Sequence, residues 1–539
     1  MKTQDVAQVA SACQLGHDEG EACRRTNACL VRLLSGALFV CVILTSTARA
    51  QDRFDGLDNY MGEAMEKWQV PGLAIAVVKD GEIVLARGYG NRQIGRDAPV
   101  TADTLFSIAS CTKSFTASCI AMLVDEGKLQ WDDPVRKHLP DFKVADAYVT
   151  EHLTIRDLLC HRTGLARGDL VGMSGGFTHA EMLNQVQFLP QAAPFRSKMT
   201  YNNLMFTVLG EIVQKKSGLR WQEFVAKRVL MPLEMKSTTT DREAIAADRL
   251  VTRHRLYDGE LAPLRTPNSD KMAPAGAIHS TAGDMARWLS FHLREGEHNG
   301  RQLISKKAIR EMHSLHQSIP VKWRPDSDAY DARFAGTGLG WYVRDYRGRK
   351  VISHGGSWGA EMAFVPEENL GVVVLSNRDW NGLVWMLIYD VIDAYVVGPE
   401  QAWSKGKKWE HWLPLGGPDA MDRDRKGQRA ELEKNRKAGT HPSLPLAEYA
   451  GTYRSRLYSK LAVTVVEDRL HVQFGDYAAT LDHWDQDSFY GHAVIEPFLD
   501  WHVKFDIDQQ RSIKGLEIIH VGWKEPDERF LFTRRTQEP

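Results

Sequence analysis

The sequence predicts an α/β domain extended by a helical part and followed by a separate all-β domain. Within residues 51–398, strand-like apolar segments lie at both ends and helical segments lie between them. Strands from both ends that join one sheet, with helices inserted, form an α/β domain plus a helical one. A charged stretch over 399–445 predicts a linker, and the short alternating segments of 446–539 predict the all-β domain.

The composition is that of a globular protein with no excess of either charge. The chain has 539 residues, which is long enough for two or three domains. Its 68 Lys and Arg residues nearly cancel its 69 Asp and Glu residues, so no basic face is indicated. We therefore expect no nucleic-acid partner.

The N-terminal segment has the pattern of a signal peptide. Leu33–Leu44 is an apolar stretch preceded by arginines and followed by an A-x-A site at Ala48–Ala50. This predicts a leader over residues 1–50 and a mature chain beginning at Gln51, exported to the periplasm or secreted. A start near Leu30 or an uncleaved anchor is the alternative. The stretch is too short to span a bilayer comfortably, so no stable membrane span is expected after cleavage.

The first strands of the α/β domain form a predicted hairpin from Gly72 to Gly90. GLAIAVV and EIVLARGYG flank Lys79-Asp80-Gly81, and Asp-Gly is a favoured hairpin turn. Residues 102–235 are mainly helical, most clearly in LTIRDLLCHRTGL and LMFTVLGEIVQKKSG. Strands return after Gly336 as GLGWYVRDY, RKVISHGG, AEMAFVPEE and LGVVVLSN.

The C-terminal part, residues 399–539, has a different sequence pattern. Residues 399–445 carry Lys, Pro and Gly and then DRDRKGQRAELEKNRKAG, which predicts a short solvated helix within a linker. From about Leu446, short strands are separated by Asp, Gly and Gln turns, and Val503, Phe505 and Ile507 alternate with polar residues. This pattern predicts a small β-barrel or sandwich.

The segment SCTKSFTASCIAMLVDEG carries the most informative motif, Ser110-Cys111-Thr112-Lys113. A serine and a lysine three residues apart on a helix share one face, so the amine can reach the hydroxyl. A serine hydroxyl is a poor nucleophile until a neighbouring base takes its proton. The spacing therefore predicts Ser110 as a nucleophile and Lys113 as the group that activates it.

Two further motifs follow in order, Tyr201-Asn202-Asn203 and His354-Gly355-Gly356. Other matches to the same short patterns lack the context. Ser404–Lys407 has no apolar helical run behind it, and Lys216-Ser217-Gly218 is typical of a helix C-terminus. Gly355–Gly359 fits the G-x-S-x-G nucleophile elbow, but strand-like sequence follows Ser357 where that elbow needs a helix.

In order and spacing, these motifs resemble the serine β-lactamase and penicillin-binding-protein superfamily, specifically its class C and esterase or D-aminopeptidase branch. The resemblance covers roughly residues 55–398 and includes TLFSIASCTKSFTA, LLCHRTGL and PAGAIHSTAGDMARWL. It implies an antiparallel sheet flanked by helices, with an all-helical lobe closing the cleft. The C-terminal part is similar to the lipocalin-like modules of some relatives.

The resemblance also implies roles for individual residues. Tyr201 would face Ser110 and pass the proton to the leaving group, and Lys113 and Tyr201 would titrate as one unit. Asn203 would hold the Lys113 amine and the substrate amide in register. The backbone N–H groups of Ser110 and Ser357, which follows Gly356, would form the oxyanion hole.

His354 stands where β-lactamases of this group usually carry the lysine of Lys-Thr-Gly. A neutral imidazole lacks the fixed positive charge that would hold a β-lactam carboxylate. We therefore expect an exported serine hydrolase that acts on an ester or a small, D-amino-acid-containing peptide amide. A β-lactamase or DD-carboxypeptidase is the alternative, and a penicillin-binding sensor that is acylated but turns over slowly is a third.

Neither a metal nor a cofactor is expected, because no H-E-x-x-H, paired Cys-x-x-Cys or G-x-G-x-x-G motif is present. Outside the leader, Cys111, Cys119 and Cys160 form an odd set without metal-ligand spacing. Cys111 adjoins the nucleophile and is either a packing residue or a second reactive thiol.

Overall fold

The structure is a computed structural model that describes residues 53–173, 176–264, 270–321, 332–398, 420–493, 500–521 and 529–534. The predicted leader and residues 399–419 of the predicted linker lie outside the described residues, as does the Ser404–Lys407 match. Residues 58–539 form one unit, in which the contacts below are made. Within the described part of the chain, no helix is both long and apolar enough to cross a membrane.

The α/β domain, described here over residues 53–398 with short gaps, contains fourteen of the described strands. They are β1 (Gly72–Lys79), β2 (Glu82–Gly90), β3 (Phe106–Ser107), β4 (Arg253–Tyr257), β5 (Glu260–Leu264), β6 (His279–Ser280), β7 (Glu297–His298), β8 (Arg301–Gln302), β9 (Gln317–Ser318), β10 (Ala335–Thr337), β11 (Tyr342–Tyr346), β12 (Arg349–Gly356), β13 (Ala360–Val365) and β14 (Leu370–Ser376).

The helices of this region lie mostly between β3 and β9. They are α1 (Leu57–Lys67), α2 (Thr112–Asp125), α3 (Val135–His138), α4 (Ala147–His152), α5 (Ile155–Leu159), α6 (Asp169–Met173), α7 (His179–Gln185), α8 (Asn203–Ser217), α9 (Trp221–Val225), α10 (Ala273–Gly276), α11 (Ala282–Leu293), α12 (Lys306–Met312) and α13 (Leu383–Val396).

An eight-stranded sheet forms the centre of the α/β domain, with its strands in the order β2-β1-β14-β13-β12-β11-β10-β9. Every neighbouring pair is antiparallel, so the chain enters the sheet at its N-terminal hairpin and returns to it after the helices. Helix α11 packs on β1 and β14, and α13 packs on β13 and β14. The predicted antiparallel sheet flanked by helices is confirmed.

The N-terminal hairpin follows from its turn. Asp80 and Gly81 have φ angles of 53° and 86°, the left-handed pair that a two-residue hairpin turn requires. Strand β1 is buried along almost its whole length, which explains why its sequence is continuously apolar rather than alternating. The hairpin predicted from Gly72 to Gly90 is therefore confirmed.

The C-terminal part contains α14 (Ala420–Lys434), α15 (Leu446–Tyr449) and the strands β15 (Gly451–Ser455), β16 (Ser459–Val466), β17 (Arg469–Phe474), β18 (Tyr477–Asp485), β19 (Ser488–Ala493), β20 (Asp500–Ile507), β21 (Ile513–Val521) and β22 (Arg529–Arg534). The eight strands close into an antiparallel barrel, with β22 pairing β15. Of the two predicted forms, the structure has the barrel.

The barrel interior is filled by side chains. Along β20, Trp501, Val503 and Phe505 are buried, whereas Lys504 and Asp506 are exposed. This alternation is the one that the sequence predicts, and it places one face of every strand in the core. Large apolar and aromatic residues from the other strands complete that core, among them Tyr453, Leu461, Val472, Phe489, Leu516 and Phe532.

The charged segment forms the predicted helix, whose described side chains are mostly exposed or half-buried. Helix α14 begins within that segment, but Asp422 and Arg425 on it are buried. Farther along, Leu432 packs on Trp484 and Tyr490 of the barrel. The charge run therefore has one buried face, which docks on the barrel, beside an exposed one.

Candidate active site

Ser110 lies in a single 3₁₀ turn, Ala109–Cys111, that runs directly into α2. The turn is positioned by strand β12, because a Cβ added to Gly356 would lie 2.4 Å from the carbonyl oxygen of Ile108. Ala109 has a φ of 43°, which is left-handed and unfavourable for a residue with a side chain. Strain of this kind clusters at functional sites, where the surrounding structure holds it in place.

Lys113 lies one turn further on, with its side chain fully buried. Its Nζ donates hydrogen bonds to Ser110 Oγ at 3.0 Å and to the carbonyl oxygen of Ala275 at 2.8 Å. Burial lowers the pKa of the Lys113 amine to about 7; the Asp169 carboxylate opposes this shift, and the Arg167 guanidinium adds to it. The amine can therefore exist in its neutral, proton-accepting form near neutral pH.

Tyr201 lies on the other side of the nucleophile. Its hydroxyl donates a hydrogen bond to Ser110 Oγ at 2.8 Å, and Lys113 Nζ lies 5.0 Å from its ring centroid. Burial raises the pKa of the Tyr201 phenol, so it is a proton donor rather than a standing phenolate. Ser110, Lys113 and Tyr201 thus meet at one hydroxyl oxygen, as the motif order predicts.

The Tyr201 ring is held by two groups that sequence reasoning did not single out. The His161 ring stacks on it with the centroids 4.4 Å apart, and the Arg167 guanidinium carbon lies 4.9 Å from its centroid. His161 Nδ1 accepts a hydrogen bond from the backbone N–H of Asn202 at 3.2 Å. The LLCHRTGL segment contains His161, but nothing in its spacing shows which ring it meets.

Asn203 is close to the site but does not make the expected contact. Its side-chain N–H donates to Asp169 at 2.9 Å, and Asp169 in turn accepts from Arg167 Nε at 2.7 Å. Lys113 uses the Ala275 carbonyl instead. Asn202 rather than Asn203 caps α8, accepting from the backbone N–H of Met205.

Strand β12 packs against the turn that carries Ser110. His354 is buried, its Nδ1 lies 2.8 Å from the Gly355 carbonyl oxygen, and burial lowers the pKa of its imidazole to about 3. The ring is therefore neutral at physiological pH. Ser357 follows in the turn between β12 and β13, and among the described residues its backbone N–H has no hydrogen-bond acceptor.

Neither the Cys111 thiol nor the Ser357 hydroxyl is placed as a second nucleophile. Cys111 is buried, its thiol donates to the His354 carbonyl oxygen at 3.1 Å, and burial raises the pKa of that thiol. It is therefore a packing residue in this fold, because thiolates rather than thiols react. Ser357 is followed by strand β13, so the G-x-S-x-G match is not a nucleophile elbow. Among the described residues, no group of three or more His, Cys, Asp or Glu side chains could hold a metal ion.

A family model described as Beta-lactamase matches residues 57–383. The chain belongs to the β-lactamase family. The predicted membership of the β-lactamase and penicillin-binding-protein superfamily is thereby confirmed. A second model, described as a domain of unknown function (DUF3471), matches residues 435–534, which include all eight strands of the barrel.

Similar proteins come from fungi, bacteria and archaea. Unguisins hydrolase ungD' of Aspergillus campestris is 28% identical over 78% of this chain and 80% of its own length. Penicillin-binding protein 4 of Amycolatopsis lactamdurans is 29% identical over 61% of this chain and 85% of its own length.

Two solved structures share the fold. The octameric penicillin-binding protein homologue from Pyrococcus abyssi is 23% identical, with a TM-score of 0.52 over 89% of this chain and 99% of that chain. EstCE1, a hydrolase with promiscuous acyltransferase activity, is 18% identical, with a TM-score of 0.54 over 66% of this chain and 99% of that chain.

Proposed function

We propose that the protein is an exported serine hydrolase of the class C-like esterase and D-aminopeptidase branch. It acts on an ester or a small peptide amide through an acyl-enzyme at Ser110. The observation that carries the proposal is the convergence of Lys113 Nζ and Tyr201 OH on Ser110 Oγ, at 3.0 and 2.8 Å. Both groups lie within the reach required of a base and a proton relay.

In the acylation step, Ser110 Oγ attacks the carbonyl carbon of the substrate while the neutral Lys113 amine accepts the serine proton. The carbonyl bond to the leaving group then breaks, and the leaving oxygen or nitrogen takes a proton from the Lys113–Tyr201 pair. Because these two groups are coupled, the proton belongs to the pair rather than to either residue. Water then attacks the Ser110 ester and gives a proton to the Lys113–Tyr201 pair. The bond between Ser110 Oγ and the acyl carbon breaks, Oγ takes a proton back from the pair, and the acid is released.

The negative charge that develops on the carbonyl oxygen needs hydrogen-bond donors already in place. We assign this role to the backbone N–H groups of Ser110 and Ser357. Ser357 fits because its N–H is unsatisfied by the described residues and because Gly356 brings β12 against the turn of the nucleophile.

The substrate preference follows from His354. A neutral imidazole with a pKa of about 3 offers no fixed cation to the carboxylate of a β-lactam. This favours esters or small D-amino-acid peptide amides over β-lactams. The relative named unguisins hydrolase is compatible with a hydrolytic reaction at this kind of site.

A second candidate is a β-lactamase or DD-carboxypeptidase, which the relative named penicillin-binding protein 4 favours. A penicillin-binding sensor would use the same three residues but stop at the acyl-enzyme. The two forms differ in turnover, since a sensor keeps a stable covalent adduct and a hydrolase releases it.

The test compares the chain starting at Gln51 with its Ser110→Ala variant on a short-chain nitrophenyl ester and a chromogenic cephalosporin. Ser404→Ala is a matched control, because it removes the serine of the other Ser-x-x-Lys match in the sequence. We expect rapid ester turnover in the parent and in Ser404→Ala, its loss in Ser110→Ala, and little cephalosporin cleavage. Dominant cephalosporin turnover would place the second candidate first, and activity surviving in Ser110→Ala would remove the proposal.

A further inference from the structure

The hairpin formed by β4 and β5 connects the Ser357 turn to the barrel. At its base, the His254 N–H donates to the Asn377 carbonyl at 2.7 Å, and the Asp379 N–H donates to the His254 carbonyl at 2.9 Å. The next residue, Trp380, donates its N–H to the carbonyl oxygen of Ser357 at 3.2 Å. The base of the hairpin is thus hydrogen-bonded to the segment that holds the Ser357 turn.

A buried ion pair strengthens this connection. Arg253, at the start of β4, donates through Nε to Asp379 at 3.2 Å, and both side chains are almost completely buried. The same guanidinium lies over the Trp358 ring, 4.3 Å from its centroid. Trp358 is the residue after Ser357, so the hairpin contacts the Ser357 turn directly through Arg253 and indirectly through the segment 377–380.

The tip of the hairpin contacts the barrel and α14. Tyr257 OH lies 2.9 Å from His492 Nδ1 and 3.4 Å from Asp500 of the barrel. The backbone N–H of Asp258 donates to Asp422 of α14 at 3.2 Å. These two tip residues therefore contact both parts of the C-terminal region.

Arg425 joins all of these groups. It donates to Asp258 of the hairpin, to Asp422 of its own helix at 2.9 Å and to Asp500 of the barrel at 3.0 Å. Its guanidinium also lies 4.2 Å from the Tyr257 ring centroid. We call Tyr257, Asp258, Asp422, Arg425 and Asp500 the barrel latch.

Three charged side chains of the latch are buried together. The Arg425, Asp422 and Asp500 side chains are at most 4% exposed, so the charges cannot separate without leaving one buried and unpaired. Breaking a buried pair from one side is strongly unfavourable. Strand β4 spans about 13 Å from its base to its tip at the usual rise per residue. Because β4 is paired with β5 along this length, a shift of the tip also shifts the base.

We propose that the barrel latch positions the oxyanion donor. The barrel and α14 fix the tip of the hairpin, and its base fixes the Ser357 turn. Arg253, Tyr257 and Asp258 are then positioning residues for the reaction, although none of them touches the nucleophile. The proposal rests on the proposed function, because it needs the Ser357 N–H to stabilise the oxyanion.

The test uses the full chain carrying Tyr257→Ala and Asp258→Gly together. These changes remove both side chains that the hairpin contributes to the latch, keep the backbone N–H of residue 258 as a donor to Asp422, and leave Arg425 paired with Asp422 and Asp500. Gly is chosen because Asp258 has a left-handed φ of 51°, which Gly adopts readily. Arg469→Met is the matched control, since it breaks an exposed ion pair with Asp482 elsewhere on the barrel.

Three quantities are measured with a nitrophenyl ester: kcat, KM and the inhibition constant of an alkyl boronic acid. The boronate forms a tetrahedral adduct on serine, with an oxygen where the oxyanion develops. We expect kcat/KM to fall about 10- to 100-fold, because a misplacement of about 1 Å costs that much. The boronate should weaken by the same factor while KM changes little, and Arg469→Met should match the parent.

Two results would overturn the proposal. One is a kcat/KM within twofold of the parent, and the other is a fall in kcat/KM with unchanged boronate binding. If Ser110→Ala is inactive in the same assay, the proposed function stands and only the positioning role is lost. Should the double variant fold poorly, Tyr257→Phe keeps the ring under Arg425 and removes only the hydroxyl, and a smaller parallel loss is then expected.

Discussion

The Ser110 site and the barrel latch each bury a basic side chain, but they surround it differently. In the described part of the chain, Lys113 has only neutral oxygens as hydrogen-bond acceptors, and burial lowers the pKa of its amine to about 7. Burial alone would lower the pKa of Arg425, but hydrogen bonds to Asp422 and Asp500 raise it. A buried cation with carboxylate partners holds structure together, whereas one without them becomes a base.

The largest expected effect follows from removing the base. Lys113→Met keeps the length of the side chain but removes the amine, so kcat/KM for the ester should fall about 10²- to 10⁴-fold, the range typical of a lost general base. Lys216→Met, in the Lys-Ser-Gly sequence at the end of α8, is the control and should change kcat/KM less than about twofold. Equal losses in the two variants would contradict the assignment of the base.

Removing the cation of the latch should lower stability strongly, whereas the main effect of Lys113→Met is on kcat/KM. Arg425→Met leaves Asp422 and Asp500 buried without their cation, and the free energy of unfolding should fall by about 3–5 kcal/mol. Arg469→Met breaks an exposed pair and should cost only about 0–1 kcal/mol. Chemical unfolding measures both, and a loss below about 1 kcal/mol for Arg425→Met would mean that the latch is not a buried network.

The pH dependence of activity sharpens the contrast. Lys113 accepts a proton only when neutral, so kcat/KM should be low below its pKa and rise with pH through about 7. The apparent value belongs to the coupled Lys113–Tyr201 pair. A pH–rate profile with a stable ester measures it, and a profile that is flat between about pH 6 and 8 would argue against a neutral lysine base.

Glu361 is a third kind of buried titratable group, and its effect is expected only in the pH dependence of stability. Burial raises the pKa of its carboxyl from 4.5 to about 8, with a smaller opposing effect from the Trp385 hydrogen bond. The folded protein then binds more protons than the unfolded chain between these values, so this contribution to stability falls as pH rises from about 4.5 to about 8. In Glu361→Gln this part of the pH dependence should vanish from unfolding curves, and curves that stay parallel to those of the parent would contradict it.

Much of the α/β domain could be predicted because the sequence patterns that specify it are local. Asp80-Gly81 specifies a hairpin turn, and the apolar runs around it specify buried strands. The spacing of Ser110 and Lys113 alone places the amine near the hydroxyl. Tyr201 required the order of the motifs as well, since its position in the sequence does not show which residue it faces.

The remaining features depend on contacts between distant segments. Arg425 lies 167 positions from Asp258 and 75 from Asp500, and the sequence around it reads as an exposed charged helix. The Ala275 carbonyl that accepts from Lys113 is a backbone atom, which no side-chain pattern reveals. The choice between Asn202 and Asn203 as helix cap likewise depends on where α8 begins.

The most direct test of the central claim is intact mass spectrometry of the protein quenched during turnover of a nitrophenyl ester, followed by peptide mapping. We predict one acyl adduct per chain, located on the peptide that contains Ser110 and absent from the Ser110→Ala variant. An adduct on the peptide of Ser357, or one that persists in Ser110→Ala, would contradict the account.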